Sequence, residues 1–190
     1  MLVVLGIIVL IMAVAMPTVS SYFQISLNSA TRDLASNIKE AYNSAVITGK
    51  VYRLAFDLKE NAFWVEVGPA EVLLDTKSSL EKTARKKKFE PERDSAATAS
   101  SGFTMDKLIT RKKISLPRGV IFEDIVNQLS PEPQTVGTVY SHFFPSGLSE
   151  QTIIHLKDTS LHQASLVISP LLGTTDLYNH YMKGAEVFGH

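Results

Sequence analysis

From Met1 to Met16 the chain reads MLVVLGIIVLIMAVAM, sixteen positions without a polar side chain, and no charge appears before Arg32. A run with no polar relief is not the amphipathic helix of a soluble domain. It is a membrane segment or the apolar region of a secretory signal. At about 1.5 Å per residue it spans about 24 Å, against a hydrocarbon core of about 30 Å. A spanning helix would need about four or five residues more, and no basic residue stands ahead of the run. Both deficits lead to the expectation that further residues precede Met1. Ala13-Val14-Ala15 is a small-x-small triplet of the kind a signal peptidase cuts. Against cleavage there, the helical pattern continues past it.

Beyond Pro17 the apolar and small residues fall at Phe23, Leu27, Ala30, Leu34, Ile38, Ala41 and Ala45, in steps of three and four. That is one face of an α-helix, with Arg32, Asp33, Lys39, Glu40 and Asn43 between. A proline at position 17 is expected to kink the helix rather than end it. Gly49 supplies a stop. Residues 1–48 therefore predict one helix about 70 Å long. Its apolar start suits lipid or other apolar helices, and its amphipathic end suits a globular domain.

The pattern then changes to strands. Val51–Phe56 and Ala62–Val67 are β-branched and aromatic and are joined by Leu58-Lys59-Glu60-Asn61, which predicts a hairpin. Ile114–Leu116 and Val120–Ile125 are expected to pair around Pro117-Arg118-Gly119. Thr138–Phe144, Thr152–Leu156, Ala164–Ile168 and Thr175–Tyr178 complete the set, with turns at 145–147, 157–162 and 170–173. Short strands with frequent turns suggest two antiparallel layers. Residues 68–109 read as a long mobile insertion with a short helix around 76–88, and Ser130-Pro131-Glu132-Pro133 as an exposed loop. The fold class expected is α+β: a long N-terminal helix, hydrophobic and then amphipathic, on an antiparallel β-sheet or sandwich. The divisions expected are 1–25, the transmembrane and assembly half of the helix; 26–49, its amphipathic half; and 50–190, a β domain carrying the insertion at about 68–109.

Composition narrows the chemistry. The chain has 190 residues, 19 basic and 19 acidic, so it is neither a basic nucleic-acid coat nor an acidic tail. It has no cysteine, which removes disulfides, zinc–cysteine sites, iron–sulfur clusters and thiol catalysis together. No cofactor is expected. There is no G-x-S-x-G elbow and no phosphate-binding glycine loop. Glu123 and Asp124 are adjacent, so on a regular strand they point to opposite faces and form no dyad. The five histidines show no metal-helix spacing and are expected to be structural or exposed. Trp64, Phe56, Phe63, Phe143 and Phe144 are read as core. Arg85-Lys86-Lys87-Lys88 is the sharpest charge cluster, with Arg111-Lys112-Lys113 a second. Such runs can contact DNA phosphates or anionic headgroups. The competing reading is a solvated loop offset by Glu90, Glu92 and Asp94. Nothing in the pattern predicts an enzyme.

An apolar N-terminal helix with a proline, grading into an amphipathic half ahead of a β domain, resembles the type IV pilin and type II secretion pseudopilin superfamily. In that family a prepilin peptidase cuts a basic leader, and the mature chain starts with phenylalanine, followed by a glutamate. Pro17 falls in the family register if that glutamate lies immediately before Met1, an assumption that also supplies the missing helix length. Arg32–Val46, then Gly49, two strands and Trp64, resemble the GspH/FimT type of minor pilin. So does His142-Phe143-Phe144-Pro145-Ser146-Gly147-Leu148-Ser149 before a late hairpin. The resemblance implies a structural minor pseudopilin of a type II secretion system. It would sit in the bacterial inner membrane as a single-pass protein with its β domain in the periplasm. The alternative is a FimT-like minor pilin of a type IV pilus, with DNA uptake as a role for Arg85–Lys88. Implied partners are other pseudopilins, the inner membrane and the prepilin peptidase. The implied assembly face comprises Leu2, Val3, Leu5, Gly6, Ile7, Val9, Leu10, Met12, Ala13 and Pro17. Leu27, Leu34, Ile38, Ala41 and Ala45 would pack on the β domain.

Overall fold

The computed structural model describes residues 2–69, 102–128 and 130–189, with side chains in the first helix described at Val4, Gly6, Ile7 and from Ile25 onward. Helix α1, Leu2–Thr48, is continuous through Pro17. It ends where Gly49 takes φ 68° and its N–H bonds to Ala45 O at 3.1 Å. A left-handed residue closes a helix most readily when it has no Cβ.

Among the described residues ten strands follow: β1 Val51–Asp57, β2 Ala62–Gly68, β3 Thr104–Met105, β4 Ile114–Ser115, β5 Val120–Asn127, β6 Ser130–Gln134, β7 Thr138–Phe143, β8 Thr152–Asp158, β9 Gln163–Ile168 and β10 Thr175–Tyr178. A short helix α2, Gly184–Phe188, closes the described chain. The first sheet has the order β3-β2-β1-β7, with β4 also on β2, and the second has the order β10-β9-β8-β5-β6. Every pairing is antiparallel. The α+β class read from the sequence is the one observed: α1 from about Ile25 lies on two antiparallel sheets.

One apolar core joins all three layers. It holds Leu27, Leu34 and Ile38 of α1, Leu54, Phe56 and Phe63 of the first sheet, and Phe122, Ile125, Ile154 and Leu166 of the second. The rings of Phe56 and Phe122 meet edge-on across the two sheets, with centroids 5.7 Å apart. The buried hydroxyls of Ser141 in the first sheet and Thr152 in the second are 2.9 Å apart, so these two polar groups satisfy each other.

Several expectations are corrected. Ile114–Ser115 does not pair with β5. It joins β2 in the first sheet, while β5 pairs with β8 in the second. Pro117–Gly119 therefore carries the chain from one sheet to the other. Ser130–Pro133 is not a loop. It is an exposed edge strand pairing Ser130 with Asn127 and Gln134 with Ile125. Prolines are tolerated there because an edge needs N–H groups on one side only. The span 68–109 is not loose at its ends: Gly68 closes β2, Thr104–Met105 pairs with it, and Phe103 and Asp106 are buried. Residues 70–101, including the expected helix at 76–88, lie outside the described residues.

Glu123 and Asp124 share one face. The register slips between Phe122 and Asp124, leaving Glu123 as an extra residue in β5. Val120, Phe122 and Ile125 then face the core while Val126 joins the outer apolar cluster. A bulge breaks the alternation on which the opposite-face expectation rested. Trp64 is buried, as expected, but not in the cluster shared by helix and sheets. It lies on the outer face of the first sheet, where its Nε1–H donates to Glu66 at 2.7 Å.

Candidate assembly helix and the surfaces it positions

The sequence puts a small or apolar side chain at each inward position of α1 from residue 27. Leu27, Ala30, Leu34, Ile38, Ala41 and Ala45 are each no more than 3% exposed. The alanines let α1 approach both sheets closely, and the larger side chains fill the space between the sheets. Thr31 joins this stripe, its hydroxyl bonded back to Asn28 O at 2.9 Å. Tyr42 was missed as a contact. Its hydroxyl donates to Gly147 O at 3.1 Å and Leu171 O at 3.4 Å. One helix side chain thus ties down the loops that end β7 and β9. The available signal was its place four residues after Ile38, beside the buried stripe.

Of the expected assembly face, Gly6 and Ile7 are exposed, as is neighbouring Val4. Leu2, Val3, Leu5, Val9, Leu10, Met12, Ala13 and Pro17 belong to the α1 backbone, and their side chains lie outside the described residues. Among the described residues no helix is long and apolar enough to cross a membrane. Arg85, Lys86, Lys87 and Lys88 lie outside the described residues. Lys113 of the second basic run sits over the Trp64 ring at 4.5 Å and bonds Glu60 at 2.8 Å. Hydrogen bonding to Glu60 and then Asp57 outweighs desolvation and raises Lys113 above the ordinary lysine range. For Asp57, burial works upward, but the N–H of Glu60, the Lys113 ammonium and the N–H of Lys59 hold it below the ordinary range.

Two polar clusters occupy the outer faces. On the first sheet Arg53 and Glu66 are cross-strand neighbours joined at 2.6 Å, both nearly buried. The Arg53 guanidinium lies 3.9 Å from the Phe103 ring centre and 4.0 Å from that of Tyr140. This arrangement pins the segment after residue 101 to the sheet. On the second sheet His155 faces Asp124 at 2.6 Å and Met182 O at 2.9 Å, and stacks on Tyr181 at 3.9 Å. Ser165 Oγ donates to His180 O and accepts from Met182 N, so the C-terminal segment is held at several points. Burial, then the Asp124 charge and hydrogen bond, push the Tyr181 hydroxyl up to about 12. Among the described residues no group of three or more potential ligands could hold a metal.

The arrangement defines a class: a β domain packed on the C-terminal half of a long N-terminal helix. Two solved structures of the minor pseudopilin EpsH from the type 2 secretion system of Vibrio cholerae are similar to this chain. One is 11% identical, covers 81% of this chain and 96% of its own, and has a TM-score of 0.44. The other is 9% identical, covers 85% and 95%, and has a TM-score of 0.42. No family model matches the chain, and no curated protein does.

Proposed function

We propose that this chain is a structural minor pseudopilin of a type II protein secretion system, assembled through its N-terminal helix into a periplasmic pseudopilus. The observation that carries the reading is the continuity of α1. One helix leads from the apolar run into a stretch whose inward face is buried against both sheets. A helix seated by Leu34 and Ile38, both fully buried, cannot move axially without taking the domain along. Displacement of the apolar end is thereby delivered to the β domain.

The mechanism is assembly rather than catalysis. Before assembly the apolar run lies in the inner membrane with the β domain in the periplasm. Leaving lipid for water costs about 0.8 kcal/mol per CH₂, so the helix passes directly into a bundle of similar helices. Gly6, Ala13 and Ala15 permit close approach there. Contacts in such a filament are heterologous and repeat along its axis. The partners are other pseudopilins and the inner membrane, and a prepilin peptidase if a leader exists upstream.

The test is intact-mass and N-terminal mapping of the protein from its native locus. The expected result is a methylated phenylalanine and then a glutamate adjoining Met1, with residues 1–16 retained. A mature start at Met16 would mean ordinary signal cleavage and would overturn the assembly mechanism.

A further inference from the structure

His155 stands in the middle of a polar row on the outer face of the second sheet. Asp124 is its cross-strand partner on β5 and Ser165 its partner on β9. His155 is 1% exposed and Asp124 6%. The chain after β10 folds back over this row. Ser165 Oγ donates to His180 O at 2.7 Å and accepts from Met182 N–H at 3.0 Å. The Tyr181 hydroxyl donates to Asp124 Oδ2 at 3.2 Å, and its ring stacks on the imidazole. Met182, Val187 and Phe188 then pack over the outer apolar patch of Val126, Ile153 and Val167. Residues 179–183 belong to no strand or helix, so these contacts are what holds them.

The imidazole meets an oxygen at each of its nitrogens. Nδ1 lies 2.6 Å from Asp124 Oδ1, and Nε2 lies 2.9 Å from Met182 O. A peptide carbonyl only accepts, so Nε2 carries a proton. The contact with Asp124 requires a second proton, on the ring or on the carboxyl, because two lone pairs do not face each other at hydrogen-bond distance. The docked site therefore holds two protons, wherever the second one sits. A neutral imidazole beside an ionised carboxylate holds one. With one proton, either Asp124 or Met182 O faces a bare ring nitrogen in a buried place, where an unmet polar group is costly. Asp124 and His155 are fixed side by side by the β5–β8 ladder, so the contact that gives way is the one to Met182.

We propose that His155 and Asp124 form a proton-operated latch: with two protons they hold Met182 and keep residues 179–189 docked, and loss of one proton releases that segment and uncovers Val126, Ile153 and Val167. The docked form binds the extra proton, so docking weakens as pH rises. The other charged and titratable groups around the pair are accounted for. Glu123, on the same face of β5, is engaged by Lys157 of β8 at 3.4 Å and by Gln163 of β9 at 2.7 Å. Ser165 of β9 carries no charge. From the segment itself come Tyr181, which stays protonated to about pH 12, and His180, whose Nε2 lies 3.0 Å from Met182 Sδ. The Glu186 carboxylate is turned to Lys183 N–H. The latch lies wholly within the β domain, so its failure would leave the assembly reading untouched.

The experiment follows amide exchange of the full chain in detergent from about pH 5 to about pH 9, which brackets the range where histidines change charge. Exchange is expressed as protection relative to an unstructured chain at the same pH. Protection at Met182 should fall at least about tenfold as pH rises, while that at Ile154 within β8 stays unchanged. Nitrogen-15 shifts of the His155 ring should change with the same midpoint. In Asp124→Asn a carboxamide donates to Nδ1 while Nε2–H keeps Met182 O, so one ring proton suffices and protection should persist at the upper pH. His180→Asn should keep the response of the natural chain. Protection at Met182 that does not change with pH in the natural chain would overturn the latch without any variant having to fold. So would a response retained in Asp124→Asn or lost in His180→Asn, since either would assign the proton to another group.

Discussion

The ring of Tyr42 stands where a side chain at residue 173 would have to be: a Cβ on Gly173 would lie 2.1 Å from Tyr42 Cγ. Gly173 also has φ 57°, so the backbone and the ring make the same demand. Helix and loop are fitted to each other at this point, and the Tyr42 hydroxyl extends the contact to a second loop through Gly147 O. Gly173→Ala should lower the stability of the full chain in detergent by about 2 kcal/mol or more, through left-handed strain and overpacking together. Tyr42→Phe removes only the hydroxyl bonds and should cost about 0.5–1.5 kcal/mol. In a Tyr42→Ala background the Gly173→Ala penalty should shrink, because the two residues are coupled. Urea unfolding of the four proteins measures that coupling.

Ile38 is fully buried where α1 crosses the shared core, whereas Lys39 beside it is exposed. Ile38→Ala should destabilise by about 2–5 kcal/mol, through lost burial and the cavity left between the sheets. Lys39→Ala should change stability by less than about 0.5 kcal/mol. Equal effects in thermal unfolding would mean that the seat of the helix is misplaced.

Arg53 and Glu66 form a nearly buried ion pair whose second carboxylate oxygen accepts from Trp64. Glu66→Ala leaves a buried guanidinium and an indole N–H without that acceptor, and should cost about 3–5 kcal/mol. Replacing both, as in Arg53→Met with Glu66→Leu, should recover much of the loss, because no uncompensated charge remains. Arg53 also holds Phe103, so proteolysis just before residue 103 should quicken in the single variants.

Tyr181 holds its proton more tightly in the fold, with its hydroxyl pushed up to about 12 from an ordinary 10.0. Its contribution to stability is therefore complete below the ordinary tyrosine value and is lost as pH rises through the folded value. Stability should fall between about pH 10 and 12 as the unfolded chain ionises first. Tyrosinate absorbance should show late titration from Tyr181 and from Tyr52, which burial also raises, and Asp124→Asn should bring the Tyr181 component to lower pH by removing the adjacent negative charge.

Periodicity alone laid out α1, its buried stripe and most strands, because a helix or strand that buries one face must repeat at its own period. Leu34, Ile38 and Ala41 were legible from spacing, as was the hairpin of β1 and β2. Tertiary structure decided where strands went after leaving their neighbours. Ile114–Ser115 and Val120–Asn127 are adjacent in sequence yet lie in different sheets, since which edge a short strand joins depends on contacts far along the chain. The bulge at Glu123 was likewise invisible. One extra residue alters no composition or local propensity, yet it turns Asp124 to the outer face, where His155 and Tyr181 meet it. The row of Asp124, His155 and Ser165 belongs to the same class. Three residues from three strands meet because the registers of two ladders set them side by side, and a register between strands is written in no local pattern.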